Sequence, residues 1–215
     1  MADLTPEERL PRASLLKIPG QRRSIHVVHE ILDAAIKVLA TQGNEGFTSQ
    51  SIAERAGVSV GSLYQYFANK EMIGAAIVER AVLDTERLLS RQVRAMARRP
   101  FEEALLAAIL GATRLAEPYR QAVREILRVT PLLSETAVPA LVRRPFLLIA
   151  TEYFAANAHR YEIVGGYTTL TVLMDTLIFM TLRRWADRDP QLSDEEFYGT
   201  LVRMVGSQVA EKKSP

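Results

Sequence analysis

Between residues 24 and 42 the apolar side chains Val28, Ile31, Leu32, Ala35, Val38 and Leu39 recur three and four positions apart. That is one stripe of an amphipathic helix, and Gly43 ends it. Residues 47–70, FTSQSIAERAGVSVGSLYQYFANK, break the pattern into a short helix at Ser49–Ala56, a turn on Gly57 and a second short helix over 60–66. Ala53 is small where two helices must cross, and Gly57 stands where the chain turns most easily through positive φ. Ile52, Ala56, Val58, Leu63 and Phe67 can meet on the inner side, while Thr48, Ser59 and Asn69 stand as N-caps before successive helices. Ile73, Ile77, Ala81, Leu88 and Val93 give a long helix over 70–99 its inner face, and Pro100 stops it. Beyond it Pro118, Pro131, Pro139 and Pro145 punctuate helices predicted near 101–116, 119–129, 134–142 and 145–160. Residues 163–182 are apolar nearly all round, and Phe197, Leu201, Met204, Val205 and Val209 line one side of a last helix over about 193–211. Nothing alternates like a strand, so the pattern predicts an all-α chain.

The pair of short helices has the layout of a helix-turn-helix, whose second helix can enter the major groove of DNA. Its outward residues Ser59, Gly61, Ser62, Tyr64, Gln65 and Tyr66 are small, polar or amphipathic. Such a face can lie close to base edges while hydroxyls reach phosphate oxygens. A helical hairpin used only for packing is the competing reading, but caps, turn and outward face all agree with a DNA-binding role.

The run G-F-T-x-x-x-I-A-x-x-A-G-V-S-x-G-x-L-Y-x-Y-F-x-x-K-E, within about 29–76, resembles the N-terminal domain of the TetR family of bacterial transcriptional regulators. The resemblance implies an all-helical homodimer, with a DNA-binding head followed by a divergent body that holds a small-molecule pocket and the dimer interface. It also implies roles for individual residues. Thr48, Ser49 and Gln50 match the start of the family's second helix, which touches the DNA backbone and sometimes a base. Ser59, Val60, Gly61, Ser62, Tyr64, Gln65 and Tyr66 match its recognition helix, and Lys70 matches a phosphate-binding lysine. One departure stands out. This recognition helix carries no Arg or Lys, so the bidentate guanine contact is missing. Gln65 is left to read a base edge and Val60 a thymine methyl, with shape and backbone contacts carrying more of the specificity.

Net charge is only +2 over 215 residues and does not argue for nucleic acid. Over 12–70, however, seven basic residues (Arg12, Lys17, Arg22, Arg23, Lys37, Arg55, Lys70) face four acidic ones (Glu30, Asp33, Glu45, Glu54), which locates a binding end. The absence of cysteine removes disulfides and thiolate sites and fits a reducing compartment. The start of the chain is polar rather than apolar, which points to the cytoplasm. Residues 1–24 read as a flexible arm with Pro6, Pro11, Pro19 and Gly20, from which Arg22 and Arg23 can reach a phosphate or a narrow minor groove.

Several other constellations carry no chemistry. Residues 163–182 are long enough to span a bilayer, but five threonines, Gly165, Gly166 and Asp175 argue for a buried helix instead. His26, His29 and Asp33 sit one turn apart without a further ligand, so no metal site is assigned. His159, Tyr153, Tyr161 and Glu152 lack any nucleophile elbow, phosphate loop or metalloprotease motif, so an enzyme is not expected and no cofactor is implied. The arginines 91, 94, 98 and 99 complement the negative end of their helix. Candidates for an effector pocket are Phe101, Leu105, Ile109, Tyr119, Phe146, Tyr153, Asn157, Met174, Asp175 and Phe179, large apolar walls with a few polar anchors. Asp175, read as buried, requires a partner.

The expected organisation is an arm at 1–24, a helix-turn-helix domain at 25–75, and a helical effector-binding and dimerisation domain at 76–215. The expected function is a dimeric repressor released from a double-stranded DNA operator by a small organic effector. Dimerisation through the last two long helices is implied by the resemblance. An activator or effector-independent repressor, or a helical enzyme or interaction module, are the alternatives.

Overall fold

The computed structural model describes residues 5, 10–129, 138–186 and 191–212. The chain divides into two units, Met1–Asp84 with Ala116–Pro139, and Thr85–Leu115 with Ala140–Pro215. The first unit begins with a single 3-10 turn at Arg12–Ser14 and holds α1 (Arg22–Gln42), α2 (Ser49–Ala56), α3 (Val60–Tyr64) and the start of α4 (Lys70–Met96). It also holds α6 (Arg120–Val129), preceded by a 3-10 turn at Glu117–Tyr119. The second unit takes the rest of α4, then α5 (Phe101–Ala116), α7 (Val138–Ala156), β1 (Tyr161–Ile163), α8 (Gly166–Ala186), α9 (Asp194–Gly206) and β2 (Val209–Glu211).

The first unit closes over the stripe of α1. Val28, Ile31, Leu32, Ala35, Val38 and Leu39 are all buried, and α2 and α6 pack against that helix. Burial of each large side chain here is worth about 1.5–3 kcal/mol. Ile73, Ala76 and Ile77 of α4 complete the core, and Ile126 of α6 packs near Gly74. Gly43 ends α1 with φ 63°, its N–H donating to the Leu39 carbonyl. At the edge of this core lies a polar cluster. Arg80, 4% exposed, pairs with Asp33 at 2.6 Å and stacks on the Tyr119 ring, whose hydroxyl donates to Asp84 at 2.5 Å.

The second unit has two apolar clusters. Leu89, Val93, Met96, Ala104, Tyr153 and Tyr161 form one, and Ile109, Leu177, Tyr198, Leu201, Val202 and Val205 the other. Phe101 packs against both. α9 starts on a capping box, in which Ser193 Oγ accepts from Glu196 N and the Glu196 carboxylate accepts from Ser193 N and Oγ. Those bonds hold the Glu196 carboxyl below its ordinary pKa.

Several expectations change. α1 begins at Arg22, so Arg22 and Arg23 lie in its first turn rather than on a free arm. The arm itself is partly fixed, since Leu10 and Ser14 are 3% exposed. α3 ends at Tyr64 and α4 at Met96, and Leu89 rather than Leu88 is the buried residue of that turn. Pro145 does not break the chain; it sits inside α7, which loses one backbone donor there and continues. The predicted break at Pro131, and the first residues of the predicted 134–142 helix, lie outside the described residues.

The strand-free reading is corrected as well. β1 and β2 form an antiparallel pair with Tyr161 opposite Glu211, Glu162 opposite Ala210 and Ile163 opposite Val209. α8 consequently starts later, at Gly166, where Gly165 and Gly166 turn the chain at φ 82° and 65°. α9 ends earlier, at Gly206, with Tyr198, Leu201, Val202 and Val205 buried and Met204 63% exposed. Among the described residues no helix is long and apolar enough to cross a membrane.

Candidate nucleic-acid interface

The α2–α3 hinge is held by local bonds that the sequence encodes. Thr48 Oγ1 accepts from Ser51 N at 3.1 Å, and Ser51 Oγ accepts in return from Thr48 N at 3.2 Å. Ser51 also donates to the Gly46 carbonyl at 2.6 Å, so this one hydroxyl ties the preceding loop to the helix start. At the other end Val58 N reaches the Ala53 carbonyl and Gly57 N the Glu54 carbonyl, a Schellman closure that needs Gly57 at φ 67°. Ser59 then caps α3 by accepting from Ser62 N at 3.0 Å. Ile52, Ala53, Leu63 and Phe67 are buried beneath, while Ala56 and Val58 are only half-buried. The hinge angle is therefore set by hydrogen bonds and packing together.

The residues carried over from the resemblance are brought together on the outer side of this hinge. Thr48, Gln50, Ser59, Gly61 and Gln65 are exposed, as are Val60 and Tyr64 at 37% and 46%. Ser49, Ser62, Tyr66 and Lys70 are half-buried. Tyr64 Oη donates to Ser49 Oγ at 3.1 Å, so the two helices are joined across the outer face before any partner arrives. Thr48, Ser59 and Ser62 are engaged in caps. Gln50, Val60, Gly61 and Gln65 carry no such local duty in these bonds.

Gly61 and Lys70 add a second kind of observation. A Cβ on Gly61 would meet nothing nearer than the Ser59 hydroxyl at 3.8 Å, and its φ is not positive, so nothing inside the protein requires glycine. Close approach of a partner would. Lys70 opens α4 next to Asn69, whose Oδ1 accepts from Met72 N at 2.8 Å. A cation stands badly at the positive end of a helix dipole, so helix stability does not explain Lys70; a nearby anion would.

Ser51 was missed by sequence reasoning. Its signal is weak, because a capping box ordinarily places Glu or Gln at that position.

The effector candidates do not form one group. Tyr119 belongs to the first unit, bonded to Asp84. Phe101, Phe146 and Tyr153 join the cluster around Tyr161, and Leu105, Ile109 and Met174 the cluster around Tyr198. Asn157 is 1% exposed, donating to the Tyr153 carbonyl and accepting from Arg160. Asp175 is not the buried carboxylate expected. Its side chain is 52% exposed and paired with Arg143 at 3.3 Å, and Phe179 beside it is 46% exposed. The apolar character of that helix faces outward as much as inward.

Phe101, Tyr153, Phe154 and Tyr161 make a set of tilted and edge-on ring contacts with centroids 5.4–6.4 Å apart. Its hydroxyls are already committed: Tyr153 Oη donates to the Arg99 carbonyl and Tyr161 Oη accepts from Phe101 N and Arg160. Burial, aided by Tyr161 and opposed by Arg160, pushes the Tyr153 phenol up to about 12. It therefore stays neutral near pH 7.

A capped hinge followed by a short helix with a small outward face has the layout of a helix-turn-helix. Residues 31–77 match the sequence model of the family described as "Bacterial regulatory proteins, tetR family". The "HTH-type transcriptional repressor KstR" of Rhodococcus jostii (strain RHA1) is 36% identical over 76 residues, which is 35% of this chain and 34% of that protein. The chain thus matches about a third of the length of this curated relative. Among solved structures, a TetR-family protein of Mesorhizobium loti MAFF303099 superposes with TM-score 0.62 at 18% identity, over 88% of this chain and 99% of that one. SmeT in a complex with triclosan gives TM-score 0.61 at 21% identity, over 86% and 91%. By sequence the head of the chain is similar to that of TetR-family proteins, and over most of its length the chain shares the fold of solved ones.

Proposed function

We propose that this protein is a sequence-specific DNA-binding regulator of transcription, a repressor that a small organic effector releases from its operator. The observation that carries the reading is the outer face of α3, where Val60, Gly61 and Gln65 stand exposed on a hinge whose geometry is otherwise fully determined. Gln65 reads a base edge, Val60 a thymine methyl, and Tyr64, Thr48 and Lys70 hold phosphates. Residues 25–75 act as the reading head and 76–215 as the effector-binding and dimerisation body. The family's KstR is a repressor, which supports the sign of regulation.

Dimerisation through α8 and α9 is supported by an exposed stripe, Thr168, Val172, Asp175, Phe179 and Arg183, at helical spacing, with Met204 exposed on α9. Apolar side chains left in water at that spacing fit a partner helix. Two copies then present α3 to successive major grooves, roughly 34 Å apart on a pseudo-palindrome. The effector is assigned to the second unit, which holds every effector candidate except Tyr119; SmeT, a protein of similar fold, was solved with triclosan. It binds one of two conformations better and shifts the population by that difference alone.

Footprinting on the DNA upstream of its own gene tests the reading. Sequence-selective protection that weakens as salt rises is expected; protection independent of sequence, or none, overturns it. An effector-independent repressor or an activator would protect the same DNA, yet no lipophilic compound would release it.

A further inference from the structure

The segment ahead of α1 is fastened to the head by one carboxylate. Ala13 N donates to Glu79 Oε1 at 3.0 Å, and Ser14 N and Oγ donate to Glu79 Oε2 at 3.0 and 2.7 Å. Glu79, on α4, is 7% exposed, and among the described residues its hydrogen bonds come from this segment. A carboxylate so deep is costly without donors, so undocking the segment would strand it. Leu10, buried beside the 3-10 turn, adds an apolar anchor.

Two residues past Ser14, Leu16 N donates to the Tyr66 carbonyl at 2.8 Å. That carbonyl lies just beyond α3, one residue past its C-cap Gln65. The bond therefore fixes the segment to the exit of the reading helix. Lys17 follows, its Cα about 3.8 Å further along the chain, and its side chain is exposed. Neither α3 (Val60–Tyr64) nor its C-cap Gln65 carries a cation.

We propose that residues 10–17 form a strap locked by Glu79, and that the strap delivers Lys17 to a DNA phosphate next to the end of α3. This rests on the regulator reading above. Glu79 is a positioning residue: it touches no DNA and acts through the strap. Arg22 and Arg23, in the first turn of α1, are not required by it.

The test uses the full-length protein and an operator fragment that the wild type protects, with affinity measured across a salt series. Lys17→Gln should lower the slope of log K against log salt by about 1.8 and weaken binding about thirtyfold near 0.15 M salt, as the loss of one phosphate contact from each of two subunits does. The ranking of operator variants should stay unchanged. Glu79→Gln should reproduce that loss, and adding Lys17→Gln to it should cost little more. Should Glu79→Gln unfold the head, Ser14→Ala, which removes one bond of three, takes its place with a partial loss. A wild type that binds selectively, with Lys17→Gln equal to it in slope and affinity, overturns the strap proposal alone. A wild type that protects no DNA overturns the regulator reading and this inference with it.

Discussion

The two units place their apolar surface differently. In the first, α1 buries its entire stripe and the α2–α3 hinge ties its polar groups to one another. In the second, α8 leaves Tyr167, Val172 and Phe179 at 69%, 58% and 46% exposure, and α9 leaves Met204 in water. A helix pair that satisfies itself needs nothing further to hold its shape. A helix with apolar residues on several sides has somewhere else to put them. The hinge satisfies its own polar groups, while α8 and α9 leave apolar side chains in water.

Substitutions can break or sharpen that contrast. Leu63 is 0% exposed beneath α3, and Leu63→Ala should cost about 2–5 kcal/mol, read as an earlier chemical denaturation of the first unit. A smaller effect belongs to the second unit and to pH. Tyr153 is raised above its ordinary 10.0 to about 12, so the folded state prefers the neutral phenol. Its contribution is complete below pH 10 and lost as pH climbs from 10 towards 12, on the order of 2–3 kcal/mol. In a phenolate absorbance titration of the folded protein it should ionise later than an exposed tyrosine, and Tyr153→Phe should remove that late step.

Val172→Asp with Phe179→Asp tests whether the exposed stripe meets a second copy. Association measured by sedimentation equilibrium should weaken at least tenfold, about 1.4 kcal/mol, with helix content by circular dichroism unchanged. Unaltered association would leave the stripe without a partner and make the two units alike. The smallest effects should ignore the contrast altogether. Thr48→Ala and Ser193→Ala each remove an N-cap, one in each unit, and each should cost about 1 kcal/mol in thermal or denaturant unfolding. A large disparity would mean that caps matter less than the tertiary surroundings.

How much was legible follows from how local each feature is. α2 needs Thr48 before it and Gly57 after it, each three or four positions from the groups it bonds, so its bounds could be read directly. Asn69 and Gly43 are of the same kind. Asp175 shows the opposite. Periodicity marks it as one polar residue in an apolar helix, but only the packing of α7 brings Arg143 to it and leaves both half-exposed. Pro145 illustrates the same limit, because a helix otherwise well supported can absorb a missing donor. The strands β1 and β2 are three residues each and lie far apart in sequence, so neither carries a period long enough to see.

The chain by itself determined the helical class, the hinge, its caps and the outward face of α3, because each depends on residues within a turn or two of one another. Only the tertiary structure decided that Glu79 holds the segment before α1, that Leu16 closes on Tyr66, and that α6 returns to pack on α1. Those contacts join positions dozens of residues apart. They form only when burial of the shared core outweighs the entropy of closing the loops between them, and no local pattern records that balance.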